Sequence, residues 1–267
     1  MKTIIAGTDF TSSSVNACKY AALLAQKLNC KLTVFNMFDA PIIHSNTGLY
    51  GISYVSVRKD SQVKTQKLVS LLNKLFPKLK IELFVTNGAL KEELENFSSA
   101  HHVEAAVMGL ETKTKFSKFL YGSHGVDIAG KIDTPVIIVP ENYKEHKLSA
   151  VLLAVDNSEK LRKSSLKNFE KFLLKTKSNL HVLHVRTEDE VFDPVVTNLK
   201  INGKKLYIEM IKAADTQDGV KKYCRQGDID LVAVVSKKHS VFYDLFIESN
   251  TKKIAFASKV PVLAIHE

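Results

Sequence analysis

A glycine, a basic loop and a Gly-Ser pair follow one another in the first half of the sequence. The apolar run Ala105–Met108 ends in Gly109, a lysine-rich loop follows, and Gly122-Ser123 opens a segment with helical periodicity. A glycine lets a ligand approach the backbone, and a helix start offers unpaired N–H groups at the positive end of its dipole. This order is typical of an anion-binding cradle. It also fits an ordinary strand-to-helix connection in which Ser123 is only an N-cap.

Signatures of catalysis or metal binding are missing from the sequence. There is no Gly-x-Ser-x-Gly elbow and no phosphate-binding loop ending in Gly-Lys-Ser/Thr, and the pair His101-His102 lacks the i, i+4 spacing of a helical metal site. Cys18, Cys30 and Cys224 are scattered, which argues against a disulfide framework or a zinc site. We therefore expect a binding module rather than an enzyme.

The composition excludes several protein classes. Of the 267 residues, 45% are hydrophobic and 25% are charged, and no apolar run approaches the roughly 20 residues that span a bilayer. The apolar part of Met1–Asp9 is too short for a signal peptide, so a cytoplasmic protein is predicted. The net charge is +10, but the lysines are spread along the chain without interleaved aromatic residues. A solvated lysine-rich surface is favoured over nucleic-acid binding.

Strand and helix patterns alternate in the first half. The predicted strands are Thr3–Gly7, Leu32–Phe38, Ile81–Val85, Glu104–Gly109 and Pro135–Val139, and the predicted helices are Ser12–Leu28, Val63–Leu75, Ala89–Ala100 and Ser123–Ile132. The segment Asp39–Arg58, with its proline and glycines, is predicted to be a long loop. Apolar strands separated by helices indicate a parallel sheet that is covered on both faces.

The second half repeats this pattern. Its predicted strands are Ala150–Val155, Leu180–Val185, Leu206–Ile211, Ile229–Val235 and Val260–Ile265, and its predicted helices are Glu159–Lys175, Phe192–Leu199, Gly219–Arg225 and Ser249–Ser258. Thr134–Val139 and Val260–Ile265 form a close internal match. The sequence therefore predicts an α/β fold of two tandem, Rossmann-like domains, each an open five-stranded parallel sheet with helices on both faces. The expected boundaries are 1–143 and 147–267, joined by a polar linker.

The chain resembles the universal stress protein family, as a tandem pair. The resemblance is carried by Thr8–Thr11, Leu32–Phe38, Gly109, Gly122-Ser123 and Thr134–Val136. Nucleotide-binding members of that family have a glycine, two residues, a second glycine, nine residues, and then Gly-Ser or Gly-Thr. Here Gly109, Thr112 and Gly122-Ser123 keep that spacing, with threonine in place of the second glycine.

The resemblance implies a site for ATP or another adenine nucleotide, accompanied by Mg²⁺. Asp9 would accept hydrogen bonds from the ribose hydroxyls, and Met37 would present backbone groups to the adenine edge. Gly109 would lie against ribose or phosphate. Gly122 and Ser123 would hold phosphates at a helix N-terminus.

These residues also have plain structural interpretations. Asp9 fits a turn or a helix cap, and Met37 fits the core. His124 fits a solvent-facing helix position as well as a phosphate contact. Thr112 opposes close phosphate approach because a β-branched residue is stiff and poor at positive φ.

The second half keeps less of the nucleotide pattern. Ser236 is predicted at the position of Gly109, and Ser249-Asn250 at that of Gly122-Ser123, so no nucleotide is expected there. Family resemblance implies that the two domains pair through their last strands, Val136–Val139 and Val262–Ile265, which would bury two sheet edges. Association of two chains into a homodimer is left open.

Three functions are compatible with the sequence. The favoured one is a stress-response module that binds an adenine nucleotide in the first domain. A family member that binds no nucleotide and acts through protein–protein contacts is the first alternative. A weak ATPase or an adenylate-handling enzyme on the same fold is the second.

Overall fold

The computed structural model describes residues 1–39, 54–110, 134–144, 147–155, 163–186, 200–201, 204–205, 207–236 and 259–266. Four candidate site residues, Thr112, Gly122, Ser123 and His124, lie outside these ranges. The predicted helices Ser123–Ile132, Phe192–Leu199 and Ser249–Ser258 also lie outside them. None of the described helices combines the length and hydropathy that a membrane span requires.

The first half alternates strands and helices, as predicted. Its elements are β1 (Thr3–Thr8), α1 (Ser12–Leu28), β2 (Lys31–Met37), α2 (Tyr54–Leu75), β3 (Ile81–Thr86), α3 (Leu90–Ala100), β4 (Val103–Leu110) and β5 (Val136–Pro140). The strand predictions are confirmed to within one or two residues at each end. The bounds of α1 are those predicted.

The start of α2 corrects the prediction of a loop through Arg58. The helix begins at Tyr54 rather than at Val63. Its first turns carry no apolar periodicity, and Val55 is 70% exposed. Distant contacts hold this end instead: the Tyr54 ring lies 5.3 Å from that of Phe38, and its hydroxyl donates to Asn87 Oδ1 at 2.8 Å. Such contacts are invisible to a local pattern.

The second half contains the same series with a small addition. Its elements are β6 (Ala150–Val155), α4 (Lys163–Thr176), β7 (Asn179–Arg186), β8 (Lys200–Ile201), β9 (Lys204–Lys205), β10 (Ile208–Lys212), α5 (Thr216–Gln226), β11 (Leu231–Ser236) and β12 (Val262–His266). The short antiparallel pair β8–β9 was not predicted. Helix α5 begins at Thr216 rather than at Gly219, because Asp215 caps it by accepting from the Asp218 N–H at 2.7 Å.

Ten strands form one sheet in the order β10-β7-β6-β11-β12-β5-β4-β1-β2-β3. Each half contributes five parallel strands in the same internal order, with its first strand in the middle. β5 and β12 lie antiparallel at the junction, where Ile137 is opposite Leu263. This arrangement confirms the predicted α/β class with a largely parallel sheet.

Helices cover both faces of the sheet and create two cores. One face packs against α1, α2 and α4, with Leu24, Leu72 and Leu173 among its buried side chains. The opposite face packs against α3 and α5 through residues such as Leu94 and Val220. The central strands are buried on both sides, which explains why their sequences are apolar throughout.

Candidate functional site

The carboxyl ends of β1 and β4 form the natural ligand crevice of the first half. β1 lies between β2 and β4. The chain leaves β1 for β2 on one side and later returns to β4 on the other. Ligands of open parallel sheets bind outside the carboxyl ends of the strands at such a reversal. Asp9 directly follows β1, and Gly109 is the next-to-last residue of β4.

The turn between β1 and α1 is tightly hydrogen-bonded and locally strained. Phe10 has φ 68°, which costs a residue other than glycine about 1–2 kcal/mol. The Phe10 N–H donates to Thr8 Oγ1 at 3.1 Å. Asp9 Oδ1 accepts from the backbone N–H of Thr11 at 3.1 Å and from its hydroxyl at 2.6 Å. Residues held in such conformations concentrate at functional sites, so this turn is a candidate ligand contact.

The two oxygens of Asp9 have different surroundings. Oδ1 belongs to the turn, which is the structural interpretation that the sequence left open. Oδ2 has no hydrogen-bond donor in the described part of the chain, and the residue is only partly buried. A carboxylate oxygen in this position can accept from a ligand hydroxyl. Asp9 can therefore shape the turn and contact a ligand at the same time.

The N-terminus of α1 lies at this crevice. Thr11 is its N-cap and accepts from the Ser14 N–H at 3.3 Å. Ser14 Oγ lies 3.1 Å from Thr8 Oγ1, which ties the helix start to the end of β1. The first turn contains no acidic residue of its own, but two carboxylates lie at this end of the helix. Asp9 accepts from Thr11, and Glu141 Oε1 accepts from Ser12 Oγ at 2.8 Å, so they partly offset the positive end of the helix dipole.

Gly109 has a packing reason to be glycine. A Cβ at this position would lie 2.6 Å from the carbonyl carbon and oxygen of Ser13 and 2.8 Å from the nitrogen of Ser14. These atoms belong to the backbone of α1 and cannot move aside cheaply. The glycine therefore lets α1 approach β4, and its predicted contact with ribose or phosphate stays a prediction.

The end of β2 contains one candidate that the sequence identified and one that it did not. Met37 is partly buried against the core that includes α3, consistent with its structural interpretation. Its neighbour Asn36 is buried and donates to the Thr8 carbonyl oxygen at 2.8 Å, so it fixes the end of β1. Among the described residues nothing donates to Asn36 Oδ1. A lone asparagine in an apolar strand gave no sequence signal for this role.

The second half repeats the Asn36 contact with a different residue. His184 in β7 lies opposite Val155, as Asn36 lies opposite Thr8. Its Nδ1 is 3.2 Å from the Val155 carbonyl oxygen. Both halves therefore place a buried polar side chain beside the last residue of their first strand.

Strand register corrects the predicted equivalent of Gly109. Val235 lies opposite Ile265 just as Gly109 lies opposite Val139. The prediction that Ser236 occupies this position is wrong by one residue, because a sequence pattern does not show which residues pair between neighbouring strands. A valine cannot permit the backbone approach that Gly109 allows, so the second half lacks this feature of the first.

Cys18 is a buried thiol of α1 beside Thr8, the last residue of β1. Burial raises the pKa of the Cys18 thiol to about 12, so the thiol stays protonated and is not a nucleophile near neutral pH. No group of three or more His, Cys, Asp or Glu that could hold a metal ion occurs within the described ranges.

Comparisons with known proteins agree with the fold. The model of the universal stress protein family matches residues 1–140. A universal stress protein from Archaeoglobus fulgidus superposes with a TM-score of 0.72 at 17% sequence identity. The superposition covers 99% of this chain and 98% of that chain. A protein of unknown function from Pseudomonas aeruginosa PAO1 gives a TM-score of 0.57 at 9% identity, with 99% of this chain and 92% of that chain covered. No curated protein sequence matches significantly.

Proposed function

Because the chain belongs to the universal stress protein family, we propose that its first half binds an adenine nucleotide such as ATP and acts as a regulatory module in a stress response. The observation that carries this proposal is the β1–α1 turn. It places the Asp9 carboxylate, with Oδ2 lacking a donor among the described residues, at the reversal between β1 and β4. The left-handed Phe10 supports it, because the protein maintains a strained backbone there.

In this proposal Asp9 Oδ2 accepts from the ribose hydroxyls. The backbone of Met37, two strands from β4, meets the adenine edge. The proposed phosphate contacts are Gly122, Ser123 and His124, with Thr112 beside them and Mg²⁺ on the phosphates.

The two halves have different proposed roles. We propose that they are domains bounded at 1–143 and 147–267, each with its own five strands. The second domain binds no nucleotide in the manner of the first, because Val235 takes the position of Gly109. Its role is to pair with the first domain across β5 and β12, where Ile137 faces Leu263.

We place this activity in the cytoplasm. Cys18, Cys30 and Cys224 are free and buried, which suits a reducing compartment. Disulfide formation would require these thiols to leave the core.

Calorimetric titration with ATP, ADP, AMP and GTP tests the proposal. We expect saturable binding of the adenine nucleotides. Asp9→Ala should weaken binding by about 10- to 100-fold, the magnitude expected for a hydrogen bond to a charged group. Asp60→Ala, which removes an exposed carboxylate from α2, is the matched control and should bind like the wild type. Equal nucleotide affinities of the two variants would show that Asp9 does not contact the nucleotide.

A further inference from the structure

A second cavity lies away from the crevice, where the two halves meet. Its volume is about 200 Å³, and its lining includes Lys2, Glu104 and Ala105 from the first half and Phe169, Phe172 and two lysines of α4 from the second. Its floor is the sheet, and its walls include α1 and α4. A cavity of about 150 Å³ lined by apolar side chains holds benzene, so this one can accept a single ring with a short substituent.

The wall of the cavity favours a planar apolar body. Phe169 and Phe172, three residues apart on α4, hold their rings nearly parallel at 11°, with centroids 6.4 Å apart. Phe169 is buried and belongs to the core, whereas Phe172 packs at its margin. Aromatic rings prefer offset-stacked or edge-to-face partners, and Phe172, which is only partly buried, is the ring that such a partner can reach.

The rim of the cavity favours an anion. Lys171 and Lys175 are four residues apart on α4 and both line the cavity, so their ammonium groups repel each other. Glu104 Oε1 accepts from Lys175 Nζ at 3.3 Å and also pairs with Lys2. One carboxylate therefore serves two lysines, and within the described ranges no carboxylate pairs with Lys171. The charged lining residues, three lysines and one glutamate, carry a net charge of +2.

We propose that this cavity binds a small aryl carboxylate, with the ring on the Phe169–Phe172 wall and the carboxylate between Lys171 and Lys175. Such a ligand contacts residues of both halves, so it would stabilise their association. The proposal is independent of nucleotide binding, because neither Asp9 nor the β1–α1 turn lines the cavity.

The test uses the full chain and two probes of similar size, phenylacetate and its neutral relative 2-phenylethanol. Ligand-detected NMR and thermal unfolding should show saturable binding of phenylacetate at millimolar concentration, with weaker binding of 2-phenylethanol. Added sodium chloride should reduce the difference between the probes, because salt screens partly exposed charges.

Two pairs of variants locate the site. Lys171→Gln should weaken phenylacetate binding about two- to fivefold, the range of an exposed ion pair. Lys167→Gln, one turn earlier on the same helix and outside the cavity lining, should leave it unchanged. Ala105→Leu fills the cavity and should abolish binding, and saturating ATP should not compete.

Three outcomes would overturn the proposal. The first is no saturable phenylacetate binding, which would mean that the lysines only solvate the end of α4. The second is equal affinity for the two probes. The third is equal loss in Lys167→Gln and Lys171→Gln. The lysine variants replace exposed side chains and should fold, so they test the proposed site even if Ala105→Leu does not fold.

Discussion

Gly109 and Ser13 lie too close for any side chain to fit between them: a Cβ on Gly109 would be 2.6 Å from the Ser13 carbonyl carbon. This contact brings the N-terminus of α1 against the end of β4, beside the crevice. The glycine that the family spacing assigns to a ligand is therefore also required by the fold. A loss of nucleotide binding on its replacement would not identify a ligand contact unless stability were measured as well.

Gly109→Ala should lower the free energy of unfolding by about 1–3 kcal/mol, because overpacking forces α1 or β4 to shift. Urea denaturation followed by circular dichroism measures this loss. Gly227→Ala is the matched control, since a Cβ there would find its nearest atom at 3.7 Å, an ordinary contact distance. The control should change the free energy by less than about 0.5 kcal/mol. Equal effects at both positions would contradict the packing role of Gly109.

The junction of the halves predicts an energetic coupling between Ile137 and Leu263. These buried residues lie opposite each other in the antiparallel pair β5–β12. In a double-mutant cycle of alanine variants, their coupling energy should be about 0.5–3 kcal/mol. Leu94, in the core on the opposite face of the sheet, supplies the control: Leu94→Ala and Leu263→Ala should be additive. Additive changes in unfolding free energy for Ile137→Ala and Leu263→Ala would contradict packing of these side chains across β5 and β12.

Glu104 predicts a pH-dependent contribution to stability. Burial opposes its charge, but hydrogen bonds and charge interactions with Lys2 and Lys175 outweigh burial and hold the pKa of this carboxyl below its ordinary 4.5. The charged form is therefore favoured in the folded protein. Its contribution is fully present above pH 4.5 and is lost as the pH falls from there through the lowered pKa.

The variant Glu104→Gln should lack this dependence. The difference in unfolding free energy between wild type and variant should be largest near neutral pH and should shrink below about pH 4.5. Glu92→Gln, which removes an exposed carboxyl from the start of α3, is the comparison variant, and its effect near neutral pH should be smaller than that of Glu104→Gln. A constant wild-type difference for Glu104→Gln across this range would contradict the stabilising role of the Glu104 pairs with Lys2 and Lys175.

Replacing Phe10 by glycine should have two opposite effects on the free energy of unfolding. Phe10→Gly should relieve the left-handed backbone at a position with φ 68°. It also removes a partly buried ring, so the net change in unfolding free energy should be smaller than the roughly 3–5 kcal/mol of a core phenylalanine truncation. Phe97→Ala, at a buried position of α3, provides that reference. A larger loss for Phe10→Gly would show that the ring, not the backbone, dominates.

Local patterns predicted the order of the elements because apolar strands and amphipathic helices carry their own periodicity. They failed where a distant contact or a neighbouring strand determines where an element begins. Helix α2 begins at Tyr54, whose side chain contacts Phe38 and Asn87. Gly219 lies inside α5, where a Cβ would be 2.4 Å from a side-chain carbon of Val185. The predicted helix began at Gly219, whereas in the structure this glycine lies inside α5 and allows it to pack closely against β7.

The candidate site was only partly predictable for the same reason. Asp9 follows an apolar run, which placed it at the end of a strand. Nothing local indicated the positive φ of Phe10, the hydrogen bond from Asn36 to Thr8, or the register that puts Val235 at the position of Gly109. Each of these depends on how separate strands and helices meet.

Mass spectrometry of the small molecules released from the purified protein by denaturation tests the central claim most directly. The account predicts an adenine nucleotide at no more than one equivalent per chain, and its loss from the Asp9→Ala protein but not from Asp60→Ala. Release of no adenine nucleotide, together with no heat of binding for ATP, ADP or AMP, would contradict the account.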